Sequence, residues 1–176
     1  AGIQAKDIQQ IECHGTGTSL GDPIEVLALQ ESLGRRGARD QSLIMSSAKT
    51  NFGHTEGAAG LLGLVKLLMC MRHQAAPKHL HFSLINPFIG FERLEAMGAV
   101  IPLETITYGK PLECAGVSSF GFSGTNCHTI LFAPPPPTTE SDSSTFVNNR
   151  GVTWSKSTAD AAARCCMPFI FAGSAF

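Results

Sequence analysis

Ser46-Ser47-Ala48-Lys49-Thr50-Asn51-Phe52-Gly53-His54 is the segment from which the organisation of this chain is most directly predicted. The apolar run Leu43–Met45 before it indicates a buried strand, and the small-residue run from about Glu56 to His73 after it indicates a helix. Lys49 and His54 therefore lie in a tight strand-to-helix connection, where a chain can direct side chains into a cleft. This connection is the first candidate site.

A second strand-to-helix loop, His14-Gly15-Thr16-Gly17-Thr18, lies upstream. A strand is predicted over Ile8–Cys13, and the helix after the loop is predicted to have Asp22 as its N-cap, Glu25 in a capping box and Gly34 at its end. The apolar stripe predicted for this helix consists of Ile24, Leu27 and Ala28. Both loops thus place one histidine after a strand.

The remaining segments complete an α/β pattern. Three glycines recur at a spacing of three in the second helix, namely Gly57, Gly60 and Gly63. Because a helical glycine costs about 1 kcal/mol relative to alanine, they predict close packing of this helix against a neighbour. Prolines interrupt residues 75–111, where Ala99–Ile101 is a candidate strand. Two further strands, Cys114–Val117 and His128–Phe132, flank a third loop that is rich in Gly and Ser.

Composition argues against several classes of function. The chain has 15% charged residues and a net charge of −1 with no basic block, which disfavours nucleic acid and anionic membrane surfaces as partners. Lys66 interrupts the apolar run 57–71, so no membrane span is predicted. The six cysteines lack CxxC spacing, which predicts a reduced, cytoplasmic protein. No metal site is predicted, and the histidines that lack ligand spacing are interpreted as surface or loop residues: His73, His79 and His81.

Loops that follow neighbouring strands of an open α/β sheet meet at one edge, so the two histidine loops and the loop Phe120–Gly124 are predicted to share a crevice. Two neutral imidazoles there can donate hydrogen bonds to one carbonyl oxygen as it gains negative charge, and a nearby Lys49 adds positive potential. Each feature alone is ordinary. An isolated histidine is more often a loop residue, and the glycine loop is not followed by the Gly-Lys-Ser/Thr of a phosphate site.

Three motifs in combination resemble those of the β-ketoacyl synthase family of polyketide and fatty-acid synthases. They are Ile11-Glu-Cys-His-Gly-Thr-Gly-Thr-Ser-Leu-Gly-Asp-Pro-Ile-Glu25, Ser47-Ala-Lys-Thr-Asn-Phe-Gly-His-Thr-Glu-Gly-Ala-Ala-Gly60 and Val117-Ser-Ser-Phe-Gly-Phe-Ser-Gly-Thr-Asn-Cys-His-Thr-Ile-Leu131. The resemblance implies a thiolase-like, layered α/β/α fold. It assigns residues 1–133 to the C-terminal half of a ketosynthase domain and leaves residues 134–176 as a Pro/Ser/Thr-rich linker and a weakly patterned tail.

The resemblance also implies a decarboxylating Claisen condensation in polyketide or fatty acid biosynthesis. An acyl group on a cysteine thioester would be attacked by the carbanion that forms when a malonyl-type extender loses CO₂. The extender would be carried on the phosphopantetheine of an acyl carrier protein, and no cofactor would bind the chain directly. The implied partners are this carrier protein, the N-terminal half of the ketosynthase domain and, in the intact enzyme, a second copy in a homodimer.

Individual roles follow from the same resemblance. His14 and His54 would hydrogen-bond the thioester carbonyl of the extender, and Lys49 would support the site electrostatically. Thr16 and Thr18 match positions that meet the pantetheine arm. Phe122 matches a gating residue whose N–H contributes to an oxyanion hole, and the loop residues that we assign to substrate binding with it are Phe120 and Gly121.

Two features depart from the family pattern. None of the six cysteines has the small-residue, Ser-rich context of the family's nucleophile, so the chain alone is expected not to catalyse condensation. Where fatty-acid-type members often carry a glutamate that pairs with the lysine, this chain has Gly63, and Glu56 is the only nearby carboxylate in the sequence. These features favour the polyketide-synthase branch. The alternative is a non-catalytic ketosynthase-like scaffold or a half that docks a carrier protein.

Overall fold

The computed structural model describes residues 2–34 and 42–133, together with the backbone of three two-residue strands further on. The helices are α1 (Gly21–Leu33), α2 (Lys49–Phe52), α3 (Ala59–His73) and α4 (Phe91–Ala96). The strands are β1 (Gln10–Glu12), β2 (Leu43–Ser46), β3 (Ala75–Ala76), β4 (Ala99–Val100), β5 (Ile106–Thr107), β6 (Cys114–Phe120), β7 (Asn126–Phe132), β8 (Phe146–Val147), β9 (Thr153–Trp154) and β10 (Ala172–Gly173). The polar connection predicted at 35–40 lies outside the described residues, as does the predicted linker and tail except for β8, β9 and β10.

The chain divides into two units, Ala1–Ala133 with Phe171–Phe176, and Pro134–Ile170. In the second unit, β8 pairs with β9 in antiparallel orientation. The first unit is built on a six-stranded sheet in the order β10-β7-β6-β1-β2-β4. Strand β1 is parallel to both β2 and β6, whereas β7 is antiparallel to β6. The loops that follow β1, β2 and β6 therefore leave the sheet at the same edge, as predicted.

Helices cover both faces of this sheet and give the layered α/β/α arrangement. Side chains alternate along β1, so that Ile11 lies on the side of α1 and α4 while Glu12 faces α3. One buried cluster consists of Ile8, Ile11, Val26, Leu29, Leu43, Met45, Ile89, Leu94, Met97 and Cys114. The cluster on the opposite face consists of Leu67, Cys70, Met71, Leu112, Ala115, Val117 and Leu131.

Helix α1 differs from its prediction at its start and on its buried face. The helix begins at Gly21 with Leu20 as N-cap, because the Asp22 carboxylate accepts the Gly17 N–H instead of capping the helix. The predicted stripe is wrong: the side chains of Ile24 and Leu27 are 66% and 41% exposed. The buried residues of α1 are Glu25, Val26 and Leu29. Gly34 ends the helix with a φ of 74°, as predicted.

The connection after β2 contains the single-turn helix α2, which begins at Lys49. Two of the three glycines near the start of α3 are explained by packing. A Cβ on Gly60 would lie 2.7 Å from the Ser119 Oγ, and one on Gly63 would lie 3.3 Å from the Glu12 Cγ. For Gly57 the prediction is wrong, because no described atom lies within 4 Å of its Cβ position.

The sequence did not predict α4 or the short pair β3–β5 within the proline-interrupted region. Helix α4 is only six residues long and follows Gly90, which has a φ of 76°. The last two predicted strands are longer than expected. They form a hairpin in which β6 and β7 have seven residues each, so the third loop shrinks to residues 121–125.

Candidate active site

The three predicted catalytic residues lie together at the edge of the sheet where β1 and β2 end. His14 follows β1, Lys49 begins α2, and His54 follows that helix. The rings of His14 and His54 stand edge to face, with centroids 5.6 Å apart and an interplanar angle of 86°. The Lys49 Nζ lies 3.5 Å from the His14 Nδ1. The two loops on which the prediction rested therefore converge.

Backbone and lysine donors set the proton position on His14. The Phe120 N–H, at the end of β6, donates to the His14 Nδ1 over 3.3 Å, and the Lys49 ammonium approaches the same nitrogen. A ring nitrogen that accepts hydrogen bonds is unprotonated, so neutral His14 carries its hydrogen on Nε2. His14 can therefore act as an Nε2–H donor.

His54 is arranged in the same way. Its Nδ1 accepts the N–H of Glu56 over 2.9 Å, which again leaves the hydrogen of the neutral ring on Nε2. The His54 side chain is exposed, whereas that of His14 is partly buried. The site thus contains two imidazoles that each offer an Nε2–H group, which is the donor arrangement that suits an oxygen gaining negative charge.

Electrostatics keep His14 neutral. Burial lowers the pKa of His14 from 6.5 to about 4, and the Lys49 ammonium and the nearby His54 ring act in the same direction. Burial likewise lowers the pKa of Lys49, and the nearby carboxylates that oppose this shift are Glu25, Glu12 and Asp22. Glu56, the carboxylate noted from the sequence, instead contributes its backbone N–H to His54.

Glu25 holds the His14 loop in place. Its two carboxylate oxygens accept the N–H groups of His14 and Gly15 at 2.7 Å and 2.9 Å. Burial raises the pKa of Glu25, and these two hydrogen bonds act in the opposite direction. Gly15 has a φ of 50°, and a Cβ there would lie 2.7 Å from the Ser47 Cβ. The loop can therefore pass this close to Ser47 only because residue 15 is glycine.

The predicted substrate-binding residues are only partly assembled around the histidines. The Thr16 and Thr18 hydroxyls lie 3.3 Å apart, and the Thr18 hydroxyl accepts the N–H of Gly21, the first residue of α1. Phe120, at the end of β6 and next to the third loop, contacts His14, with ring centroids 5.4 Å apart. The Phe122 side chain is fully exposed at 112%, and Gly121 donates its N–H to the Thr125 carbonyl in the turn.

A cavity of about 630 Å³ adjoins Lys49 and extends between the His14 loop and residues 79–89. Its lining includes Thr16, and also His79, which the sequence placed on the surface or in a loop. His79 lies in a loop, is half-buried, and accepts the Ser47 N–H at its Nε2 over 2.9 Å. Burial lowers the pKa of His79. Its role is to support the end of β2.

Sequence reasoning missed the ion pair between Glu12 and Lys66, whose side chains are 1% and 7% exposed and lie 2.9 Å apart. The available signals were a charged residue within the predicted strand Ile8–Cys13 and another within the apolar run 57–71. Among the described residues, no cluster of three or more His, Cys, Asp or Glu side chains could hold a metal ion. Within the same part of the chain, every helix is too short or too polar to cross a membrane.

Comparison with known proteins agrees with this geometry. Residues 1–83 match the family described as "Beta-ketoacyl synthase, C-terminal domain". Over 131 residues, or 74% of the chain, the sequence is 45% identical to a phenolphthiocerol/phthiocerol polyketide synthase of Mycobacterium tuberculosis. It is 44% identical over 135 residues, 77% of the chain, to the erythronolide synthase EryA3 of Saccharopolyspora erythraea. The chain belongs to the β-ketoacyl synthase family.

Solved ketosynthases support the same assignment. The chain superimposes on the oxazolomycin ketosynthase domain OzmH KS7 of Streptomyces albus with a TM-score of 0.69 and 34% identity, over 77% of this chain and 23% of that one. For the ketosynthase from module 6 of the bacillaene synthase of Bacillus subtilis, the TM-score is 0.66 and the identity 37%, over 77% and 24%. The chain spans about a quarter of these ketosynthase chains, and 7% and 4% of the two polyketide synthases above. It is the C-terminal part of a ketosynthase domain.

The described cysteines of this ketosynthase segment are free, and three of them are held as thiols. Burial raises the pKa of Cys13, Cys70 and Cys114, which is the opposite of what an attacking thiolate needs. The fourth, Cys127, is exposed on β7. Burial thus makes Cys13, Cys70 and Cys114 part of the packing of the fold.

Proposed function

We propose that this segment supplies the decarboxylation machinery of a polyketide-type β-ketoacyl synthase. The observation that carries the proposal is the pair of Nε2–H donors, His14 and His54, whose rings meet with centroids 5.6 Å apart beside Lys49. A scaffold would not require two imidazoles whose protons are placed by neighbouring N–H groups. The scaffold or docking half remains the alternative outcome of the experiment below.

The chemistry follows from those donors. In a malonyl-type thioester, the bond between the α-carbon and the carboxylate breaks, CO₂ leaves, and the electron pair moves toward the thioester oxygen as an enolate. Hydrogen bonds from His14 and His54 stabilise this oxygen as its charge grows, and the positive charge of Lys49 acts in the same direction. The carbanion then attacks the acyl thioester on the enzyme, and the cysteine leaves as a thiolate.

Further parts of the site belong to the same proposal. The extender would arrive on the phosphopantetheine of an acyl carrier protein, with the cavity beside Lys49 and Thr16 as the position for the arm. The acyl-enzyme would form on a cysteine other than Cys13, Cys70 and Cys114, because burial raises the pKa of these three thiols. The N-terminal half of the ketosynthase domain and a second copy of the enzyme would complete the assembly.

The test uses the polyketide synthase that contains this segment. His14→Ala and His54→Ala should each slow the release of labelled CO₂ from a malonyl carrier protein by about a hundred- to thousand-fold, the usual effect of removing one preorganised donor. Lys49→Ala should also slow this step. His73→Ala, at the exposed end of α3, is the matched control and should leave the rate unchanged.

Loading of the acyl group should survive both histidine substitutions, because it depends on the nucleophile and not on these donors. If the two variants release CO₂ at the parent rate, the histidines are ordinary loop residues. If the parent releases no CO₂ and forms no acyl-enzyme, the scaffold alternative is supported.

A further inference from the structure

We propose that Glu12 is a positioning residue of the decarboxylation site, and that one of its oxygens sets the relative position of Lys49 and His14. The proposal rests on the proposed function for its consequence in the reaction. The contacts of Glu12 with the end of β2 and with α3, however, are independent of that function.

Each oxygen of the Glu12 carboxylate has at least one hydrogen-bond donor. Its Oε2 receives the Lys66 ammonium of α3 over 2.9 Å and the Ser46 hydroxyl over 2.7 Å. Its Oε1 accepts the backbone N–H of Ala48. With the side chain 1% exposed, water cannot replace these donors. One carboxylate thus connects β1, the end of β2 and α3.

The Ala48 hydrogen bond is the one that reaches the site. Ala48 directly precedes Lys49 at the start of α2, and Glu12 is two residues before His14. A single side chain therefore connects the backbone that carries Lys49 to the backbone that carries His14. This contact contributes to the 3.5 Å separation between the Lys49 Nζ and the His14 Nδ1. The Ser47 hydroxyl makes a second connection, because it accepts the Lys49 N–H and donates to the His14 carbonyl, each over 3.4 Å.

Helix α3 is shaped to leave room for this carboxylate. A Cβ on Gly63 would lie 3.3 Å from the Glu12 Cγ, so a larger residue at position 63 would press on the Glu12 side chain. Lys66, one turn further along α3, supplies the opposite charge. Gln10, on the same face of β1, donates to the Ser46 hydroxyl over 3.1 Å and so holds the group that donates to Glu12.

Stability alone does not account for this arrangement. Replacing a buried ion pair by apolar residues of similar size is often neutral or stabilising, so a buried pair is weak evidence for a stabilising role. What an apolar pair cannot supply is an acceptor for the Ala48 N–H. We therefore assign the function of the pair to the Glu12 oxygen that accepts the Ala48 N–H, and Lys66 balances the charge of the Glu12 carboxylate.

Two charge-free variants of the intact synthase separate the acceptor from the charge. Glu12→Gln/Lys66→Met keeps an amide oxygen for the Ala48 N–H, whereas Glu12→Met/Lys66→Met removes it and leaves the shape almost unchanged. Because a misplacement of about 1 Å can cost a hundredfold in rate, the second variant should release CO₂ at least about tenfold more slowly than the first. The first should stay within about threefold of the parent. Leu67→Ala, a buried residue of the same helix outside this network, is the control for stability.

The titration of His14, followed by NMR of ¹³Cε1-labelled histidine, is the second readout. Lys49 and His54, from the α2 segment, act on the pKa of His14. From α1, the Glu25 carboxylate accepts the His14 N–H and the Asp22 carboxylate accepts the N–H of Gly17 in the same loop. If Lys49 moves away, one cause of the low pKa of His14 is lost, and the pKa should rise in the variant without an acceptor. Equal rates and equal His14 titrations in the two variants would overturn the proposal.

The same measurements distinguish a failure of the proposed function from a failure of the role of Glu12. If the parent releases no CO₂, the proposed function fails, while the His14 titrations of the variants still test the positioning. If the parent is active and the variants do not differ, only the role of Glu12 is refuted.

Discussion

The packing of α3 against β6 predicts that Gly60→Ala destabilises the ketosynthase domain although alanine is the better helix former. The added Cβ would lie 2.7 Å from the Ser119 Oγ and 2.9 Å from the Ser119 Cβ. Carbon atoms prefer separations of about 3.5–4.0 Å, and the Ser119 Cβ is attached to the strand, so rotation of the hydroxyl alone cannot relieve the contact. Helix or strand must therefore shift by several tenths of an ångström.

The magnitude follows from two opposing effects. Overpacking typically costs about 1–3 kcal/mol, and the alanine gains about 1 kcal/mol in helix propensity, which leaves a net loss of about 1 kcal/mol. Gly57→Ala is the matched control, because no described atom lies within 4 Å of that Cβ position. It should gain up to about 1 kcal/mol, since a methyl group there only reduces the freedom of the unfolded chain. The two variants should therefore differ by about 2 kcal/mol.

Urea unfolding of the ketosynthase domain that contains this segment provides the assay, with the midpoints compared at constant slope. The Gly60→Ala midpoint should lie below that of the parent and the Gly57→Ala midpoint above it. A Gly60→Ala domain at least as stable as the Gly57→Ala domain would show that α3 does not approach β6 as closely as the structure indicates.

Two further predictions concern ionisable groups. The His14 ring should titrate near pH 4 instead of 6.5, as followed by ¹³Cε1-histidine NMR, because burial and then Lys49 and His54 disfavour the imidazolium. Between these two pH values the unfolded chain binds this proton and the folded chain does not, so the free energy of unfolding should fall as the pH is lowered from 6.5 to 4. Titration of the folded His14 ring at 6.5 would contradict the burial and charge environment described for it. Iodoacetamide at about pH 8 should modify Cys127 first among the described cysteines, because burial raises the pKa of Cys13, Cys70 and Cys114. Mass spectrometry that finds Cys70 labelled ahead of Cys127 would refute this order.

The predictable part of this fold is the part with local signals. The strand Leu43–Ser46, the helix that ends at His73 and the edge on which the histidine loops meet all follow from apolar runs and their flanking residues. The Glu12–Lys66 pair could not be predicted, because its members are 54 residues apart and neither contains a signal for its partner. The buried face of α1 was missed for a related reason. Its Glu25 is turned inward by two backbone N–H groups of another loop, and no helical periodicity encodes that contact.

The hydrogen bonds that place the protons on the two imidazoles come largely from the main chain, namely the N–H groups of Phe120 and Glu56. Every amino acid except proline supplies such a group, whatever its side chain. The tautomers of His14 and His54 are therefore set by the path of the backbone at positions 120 and 56 and not by hydrogen-bonding groups of the side chains there. Residue 56 must still adopt a positive φ, which is 48° for Glu56. The acid–base state of the centre of the site is thus inherited with the backbone.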